Sequence, residues 1–453
     1  MTVSPVVAPV DARSGCRAMR RWCRALGLVA CLPGAALAAN LSAIVQLARD
    51  NDAEYAASRA IAAASRERLP QARAGVLPTI NFTAGGRAVE ENNSSIDHEV
   101  AYHSGNAALT VTQPLLRRAN IESLRQGEIQ ASQAELQLKL AEQDLLLRVS
   151  RGYFDVLQAQ NALESVRAQK DAFTEQLAQA NKSYSVGLVP VTDVNEAQSR
   201  YDLTLAQEIA ALNEVEVKRR ALEKSIRQEL PPLATLDDAS PVDILTAEQL
   251  SELATRASAD ALQVQIASAS EDIARHEVAK QKAAWEPTLD LVLNRSEGHH
   301  ASYNATGPQN LRQSTIGLEL AIPIYQGGAI TSRERESAAN FERARAELDG
   351  ARLQSTFDAR QALLGVQSGS ALHQALRQAL SSNETQVRST RRGLDVGVRT
   401  RVDVLNAEQQ FYATRRDLAA ARYQTLVSGL QLKAAAGALT DEDLRRIDAL
   451  LKD

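Results

Sequence analysis

Two kinds of segment alternate along this chain, and the short ones are read directly from their apolar and polar positions. Ile80, Phe82 and Ala84 alternate with Asn81 and Thr83, and Leu109 and Val111 alternate with Thr110 and Thr112. Farther on, Leu289, Leu291 and Leu293 alternate with Asp290 and Asn294. The clearest stretch sets Ile316, Leu318, Leu320 and Ile322 against Thr315, Glu319 and Ala321. A period of two predicts strands with one apolar and one wet face. The polar segments 91–106 and 296–310 lie between the members of each pair. They read as loops, long for tight hairpins but ordinary for the outer loops of a membrane barrel.

The other segments are helical. Runs over about 43–75 and 247–283 lead into the two strand pairs, and a longer run follows each pair. No proline occurs from Leu115 to Val189, or from Ile324 to the last residue; Gly187 and Pro190 break the first run, Gly393 and Gly397 the second. A helix over 120–185 reaches roughly 100 Å at 1.5 Å per residue. No globular core hides such a rod, so it must pack against other rods as a coiled-coil wall.

The order of segments repeats. "SVGLVPVTDVNEAQSRY" at 185–201 returns as "DVGVRTRVDVLNAEQQF" at 395–411, with Gly187 on Gly397 and Asp193 on Asp403, a shift of 210. Pro78 answers Pro287 and Pro114 answers Pro323, each at a shift of 209. Ordered landmarks at nearly one spacing mark a tandem duplication. The division that follows is a leader over 1–38, a first repeat over 39–229, a proline-rich linker over 230–246, a second repeat over 247–436 and a tail over 437–453.

Four strands per chain are too few for a barrel, since single-chain membrane barrels need eight or more. Open sheet edges in lipid leave backbone groups unpaired at several kcal/mol each. Other copies or a partner must therefore complete the sheet.

Composition narrows the classes. Aromatic residues are only 4% and charged residues 23% of the chain, which suits long helices better than a compact sheet core. The formal charge of −4 argues against nucleic acid as a partner. Arg17, Arg20, Arg21 and Arg24 precede a short apolar core from Ala25 to Ala36, and Ala36-Leu37-Ala38 supplies a small-x-small pattern. That combination predicts an export signal cleaved after Ala38, with Met19 an alternative start; the apolar run falls short of the roughly 20 residues of a spanning anchor. Cys16, Cys23 and Cys31 all precede this cut, which excludes disulfides and thiol chemistry from the mature chain. Leu28-Val29-Ala30-Cys31 also has the form of a lipoprotein signal, over a very short apolar core. Without the leader, 46 basic face 54 acidic side chains, about −8 in all, a solvated periplasmic kind of surface.

The motifs "VGLVPVTDVNEAQ" and "DVGVRTRVDVLNAEQ" resemble the periplasmic tip of TolC-type outer-membrane factors, and "LAIPIYQGG" at 320–328 resembles the passage from their last strand into the second long helix. The resemblance covers essentially the whole mature chain. It implies a mainly α, mixed fold: a homotrimer whose 12-strand β-barrel continues as a 12-helix α-barrel, set in the outer membrane of a Gram-negative bacterium and reaching into the periplasm. It further implies a periplasmic adaptor and an inner-membrane transporter as partners. Type I secretion is the first reading, in which an ABC transporter drives an RTX-type toxin such as cyclolysin through the duct. Multidrug efflux with a proton-driven pump is the alternative, and a structural periplasmic coiled-coil or adaptor protein is the second.

In that family the tip is closed by acidic rings and by a latch. By position, Asp403 falls on an inner ring carboxylate and Asn406 on a second ring position that is an aspartate elsewhere. Asp193 and Arg399 match a latching pair of neighbouring helices, and Leu394 replaces a tyrosine that hydrogen-bonds to the latch. The resemblance therefore implies one carboxylate ring in place of two, and a weaker latch. Three carboxylates near one axis favour cations and bind divalent ions. The plainer reading is that Asp193 and Asp403 serve the first turns of helices, favouring the dipole and capping amides. Gly187, Pro190 and Gly397 read as turn residues. His98, His103, His299 and His300 read as surface histidines, and Asn81 and Asn304 as incidental sequons. No nucleotide loop, nucleophile triad or zinc pattern appears, so neither an enzyme nor a cofactor or metal is expected.

Overall fold

The computed structural model describes residues 38–93, 98–236, 246–300 and 309–452. Most of the proposed leader, with its three cysteines, and the Asn304 sequon lie outside them. The strands pair as one antiparallel sheet in the order β1 (Thr79–Asn93), β2 (His98–Leu116), β3 (Thr288–His300) and β4 (Gln309–Ala321). Register explains why the alternation was legible. Ile80, Val111, Leu293 and Ile316 form one row across all four strands, and the adjacent row is Asn81, Thr110, Asn294 and Thr315. Successive rows face opposite sides of a sheet. One face is thus apolar and open, with Ile316 72% and Leu293 38% exposed. The other is polar, and the Asn294 amide donates to Thr110 Oγ1 across it at 3.0 Å. The outer strands β1 and β4 each keep one edge unpaired among the described residues.

The strands run farther than the alternation predicted. Of the segments read as loops, residues 91–93 and 98–106 of the first and 296–300 and 309–310 of the second are paired strand, with His103 and His299 among them. Past the apolar band the sequence is largely polar at odd and even positions alike. The period-two signal therefore stops while the backbone ladder goes on.

Each pair of strands feeds a rod. Helix α4 (Arg118–Ser185) has 68 residues and α8 (Ala329–Asp395) has 67, each about 100 Å at helical rise. Their proline-free runs of good helix formers impose no break. Shorter helices α5 (Val191–Ile226) and α9 (Arg401–Ala435) return along the lower halves, and the order of neighbours there is α5, α4, α9, α8. The upper halves are flanked by helices in pieces. The run expected over 43–75 is three helices, α1 (Leu41–Asn51), α2 (Ala53–Arg66) and α3 (Arg68–Ala74). The run expected over 247–283 is α6 (Ala247–Asp260) and α7 (Leu262–Lys282), ending in a 3₁₀ turn. Both runs break at equivalent points, Asp52 and Ala261, where ψ swings to 125° and 135°. At the first break the Asp52 carboxylate caps Tyr55 N–H at 2.9 Å and pairs with Arg148 of α4 at 2.9 Å. Asp50, Asn51 and Asp52 mark the first break as a capping site, a local signal the reading of one continuous run passed over, whereas Ala259 and Leu262 around the second favour helix.

The main core sits at mid-length. Tyr153, Phe154 and Leu157 of α4 meet Ile44 of α1, Ile226 of α5 and Leu426 of α9. The Tyr153 hydroxyl donates to the Ala234 and Ala39 carbonyls at 2.7 and 3.2 Å. The tail adds α10 (Asp441–Asp448) and a short strand, β6 (Leu451–Lys452), paired with β5 (Thr235–Leu236) of the linker. Two apolar stripes stay uncovered at the margins of the wall: Leu205, Ile209 and Leu212 on α5, and Leu353, Phe357 and Leu364 on α8. No described helix is long and apolar enough to cross a membrane.

Candidate functional site

The two turns at the far end of the rods are built alike. Helix α4 ends at Ser185 with Val186 as its C-cap, Gly187 takes φ 76°, and the amides of Gly187 and Leu188 donate to the carbonyls of Tyr184 and Ser183 at 2.9 Å. In the second hairpin Gly397 takes φ 77°, and Gly397 and Val398 donate to Leu394 and Gly393 at 3.0 and 2.9 Å. This paired pattern satisfies the last carbonyls of a helix and requires a left-handed residue after it, hence glycine. Pro190 then opens α5 as its N-cap, with φ −75°, a value the ring already imposes. Gly393 does not break its run, as the sequence suggested. It lies buried in the last turn of α8, and a Cβ there would come within 2.7 Å of the Arg399 side chain.

Thr400 caps α9, and the exchange is reciprocal. Thr400 Oγ1 accepts from Asp403 N–H at 3.2 Å, and Asp403 Oδ2 accepts from Thr400 N–H at 2.9 Å. The amide of Thr400 holds the Asp403 carboxyl below its ordinary range, with its hydroxyl and Arg399 acting the same way. Within one chain Asp403 therefore does the capping work of the plainer reading. Asp193 lies in the first turn of α5 without a matching cap, because Pro190 offers neither hydroxyl nor N–H. No hydrogen bond or ion pair joins Asp193 to Arg399 among the described residues. Arg399 is exposed and Leu394 is half-buried.

Asn406 does have a partner across the hairpins. Arg200 of α5 donates through Nη2 to Asn406 Oδ1 at 3.2 Å and through Nη1 to Gln409 Oε1 at 2.6 Å, while Nε reaches Glu196 Oε1 at 2.9 Å. Sequence reading missed Arg200. Its spacing from Glu196 signals a local pair, but its α9 partners are 206 and 209 residues away. Two further polar ties join α4 to α9 higher up, Glu164 with Arg415 at 3.0 Å and Asn161 with Tyr423 at 2.7 Å. Inside the second hairpin, Arg391 grips the fully buried Glu408 at 2.6 Å.

The opposite junction, between sheet and rods, is clamped by charge. Arg117, just before α4, forks onto both oxygens of the buried Asp290 of β3, and Arg118 pairs with Glu286 at 3.0 Å. The first half is thereby fastened to the strands of the second.

Comparison with known proteins agrees with this architecture. The Outer membrane efflux protein family matches residues 44–226 and 253–438. Outer membrane protein TolC of Vibrio cholerae is 32% identical over 423 residues, 93% of this chain and 96% of that one. Proteases secretion protein PrtF of Dickeya chrysanthemi is 30% identical over 447 residues, 95% of each. The crystal structure of the outer membrane protein VceC from Vibrio cholerae superposes with a TM-score of 0.75 at 16% identity, covering 88% of this chain and 96% of that one. Two matched repeats, full-length relatives and a shared fold together place this chain in the TolC-type outer membrane efflux protein family.

Proposed function

We propose that three copies of this chain form the exit duct of a tripartite export system, and that its cargo is a protein delivered by type I secretion. The observation that carries the duct is the four-stranded sheet, apolar on one face, polar on the other and, among the described residues, unpaired at both margins, continuing into rods of about 100 Å. Copies placed side by side join β1 to β4 and cover the stripes on α5 and α8. The polar rows then line a wet passage, and the apolar rows meet lipid. At the far end, Asp403 of each copy contributes to one acidic ring, Asn406 leaves the next ring uncharged, and Asp193 and Arg399 pair between adjacent copies. An adaptor docks there and an ABC transporter supplies the cargo.

Support for a protein cargo is the likeness to PrtF over 95% of both chains, since that relative is named for protease secretion. Multidrug efflux through a proton-driven pump is the second reading, favoured by the efflux function in the family's own description. One deletion strain separates them. If the duct serves type I secretion, the culture medium loses a large polypeptide while drug susceptibility is unchanged. Heightened susceptibility with a normal set of secreted proteins would reject that reading in favour of efflux.

A further inference from the structure

We infer that Arg200 is a tether between the two tip hairpins and also a positive charge that tempers the selectivity of the constriction. This rests on the duct reading. All three guanidinium nitrogens are engaged, on Glu196 of its own helix and on Asn406 and Gln409 of α9. The Glu196 contact fixes the plane of the fork, so the other two nitrogens reach across only while α5 lies against α9. A planar, delocalised cation with divergent donors makes such a three-way contact, and a lysine ammonium on a flexible stem does not. The Arg200 tie lies nearer the turns than the Glu164–Arg415 and Asn161–Tyr423 ties. Parting the hairpins at the tip therefore breaks it first.

Its placement also sets charge. Asn406 follows Asp403 by three residues on α9, which puts both on one side of that helix. Arg200 thus holds a guanidinium, balanced by its own ion pair with Glu196, one helical turn from each Asp403, against a neutral amide where a second carboxylate would deepen the negative ring. The constriction is less selective for cations than its carboxylates, Glu196 and Asp403, would make it without Arg200.

Purified full-length mature channel in planar bilayers tests both roles. Arg200→Gln removes tether and charge, and is expected to raise resting conductance and the cation-to-anion permeability ratio, each about twofold. Arg200→Lys keeps the charge and loses the fork, so conductance rises while the permeability ratio stays. Asn406→Ala removes an acceptor and leaves α5 intact, so it too raises conductance, and it carries the test should Arg200→Gln fail to assemble. Wild-type conductance and selectivity in Arg200→Gln, or wild-type conductance in both other variants, would overturn the inference. A wild-type protein that opens no pore would instead reject the duct reading itself.

Discussion

Gly187 and Gly397 show how one residue sets the end of a rod about 100 Å long. They adopt φ values of 76° and 77°, and a Cβ added at either would meet nothing within 4 Å. The cost of substitution is thus conformational and not steric. Gly187→Ala or Gly397→Ala is expected to destabilise its hairpin by about 1–2 kcal/mol, read as a lower denaturant midpoint. Asp403 has two jobs on one carboxylate, the cap seen here and the proposed ring. Asp403→Ala should therefore reduce both cation selectivity and divalent block in bilayer recordings; an unchanged current would take Asp403 out of the constriction and leave it a cap. The turn glycines were legible because left-handed backbone leaves a glycine in the sequence. Arg200 was not, because nothing in a linear chain marks a partner 206 residues away.

Among the elements, the long rods were the most legible, since the absence of proline from Leu115 to Val189 is a strong local constraint. The flanking helices were less so. The break at Asp52 carries a local capping signal, while Ala261 lies between helix formers and offers no side-chain cap. Helix α10 is held to α1 by Arg49, which forks onto Asp441 at 2.5 and 2.9 Å. That bond holds the Asp441 carboxyl below its ordinary range. A depressed carboxylate contributes stability that is complete above the unfolded value of about 3.9 and is lost as pH falls through the folded one. Asp441→Asn should therefore lower the melting temperature at neutral pH by a few degrees. The difference from wild type should shrink toward zero in strong acid, and a difference that persists there would show that the substitution acts through packing and not through charge.

For the whole molecule, the decisive property is what the described residues of one chain leave open: an apolar sheet face, two unpaired strand margins and two apolar helical stripes. Ile316 lies midway along the outer strand β4 on that face, in register with Leu293, Val111 and Ile80. Ile316→Arg places a charge where lipid is expected, at a cost of about 2–4 kcal/mol near the midplane. The variant should be depleted from the outer-membrane fraction, and normal recovery there after a carbonate wash would contradict a lipid-facing sheet. Local order alone determined a good deal of this protein: duplication, strand and helix type, and the two tip turns all follow from period, proline and glycine, which act over a few residues. Tertiary structure decided the rest. The strands' true length, the break at Ala261, the burial of Asp290 under Arg117 and the reach of Arg200 to Asn406 depend on groups distant in sequence, whose energy appears only once the rods stand side by side.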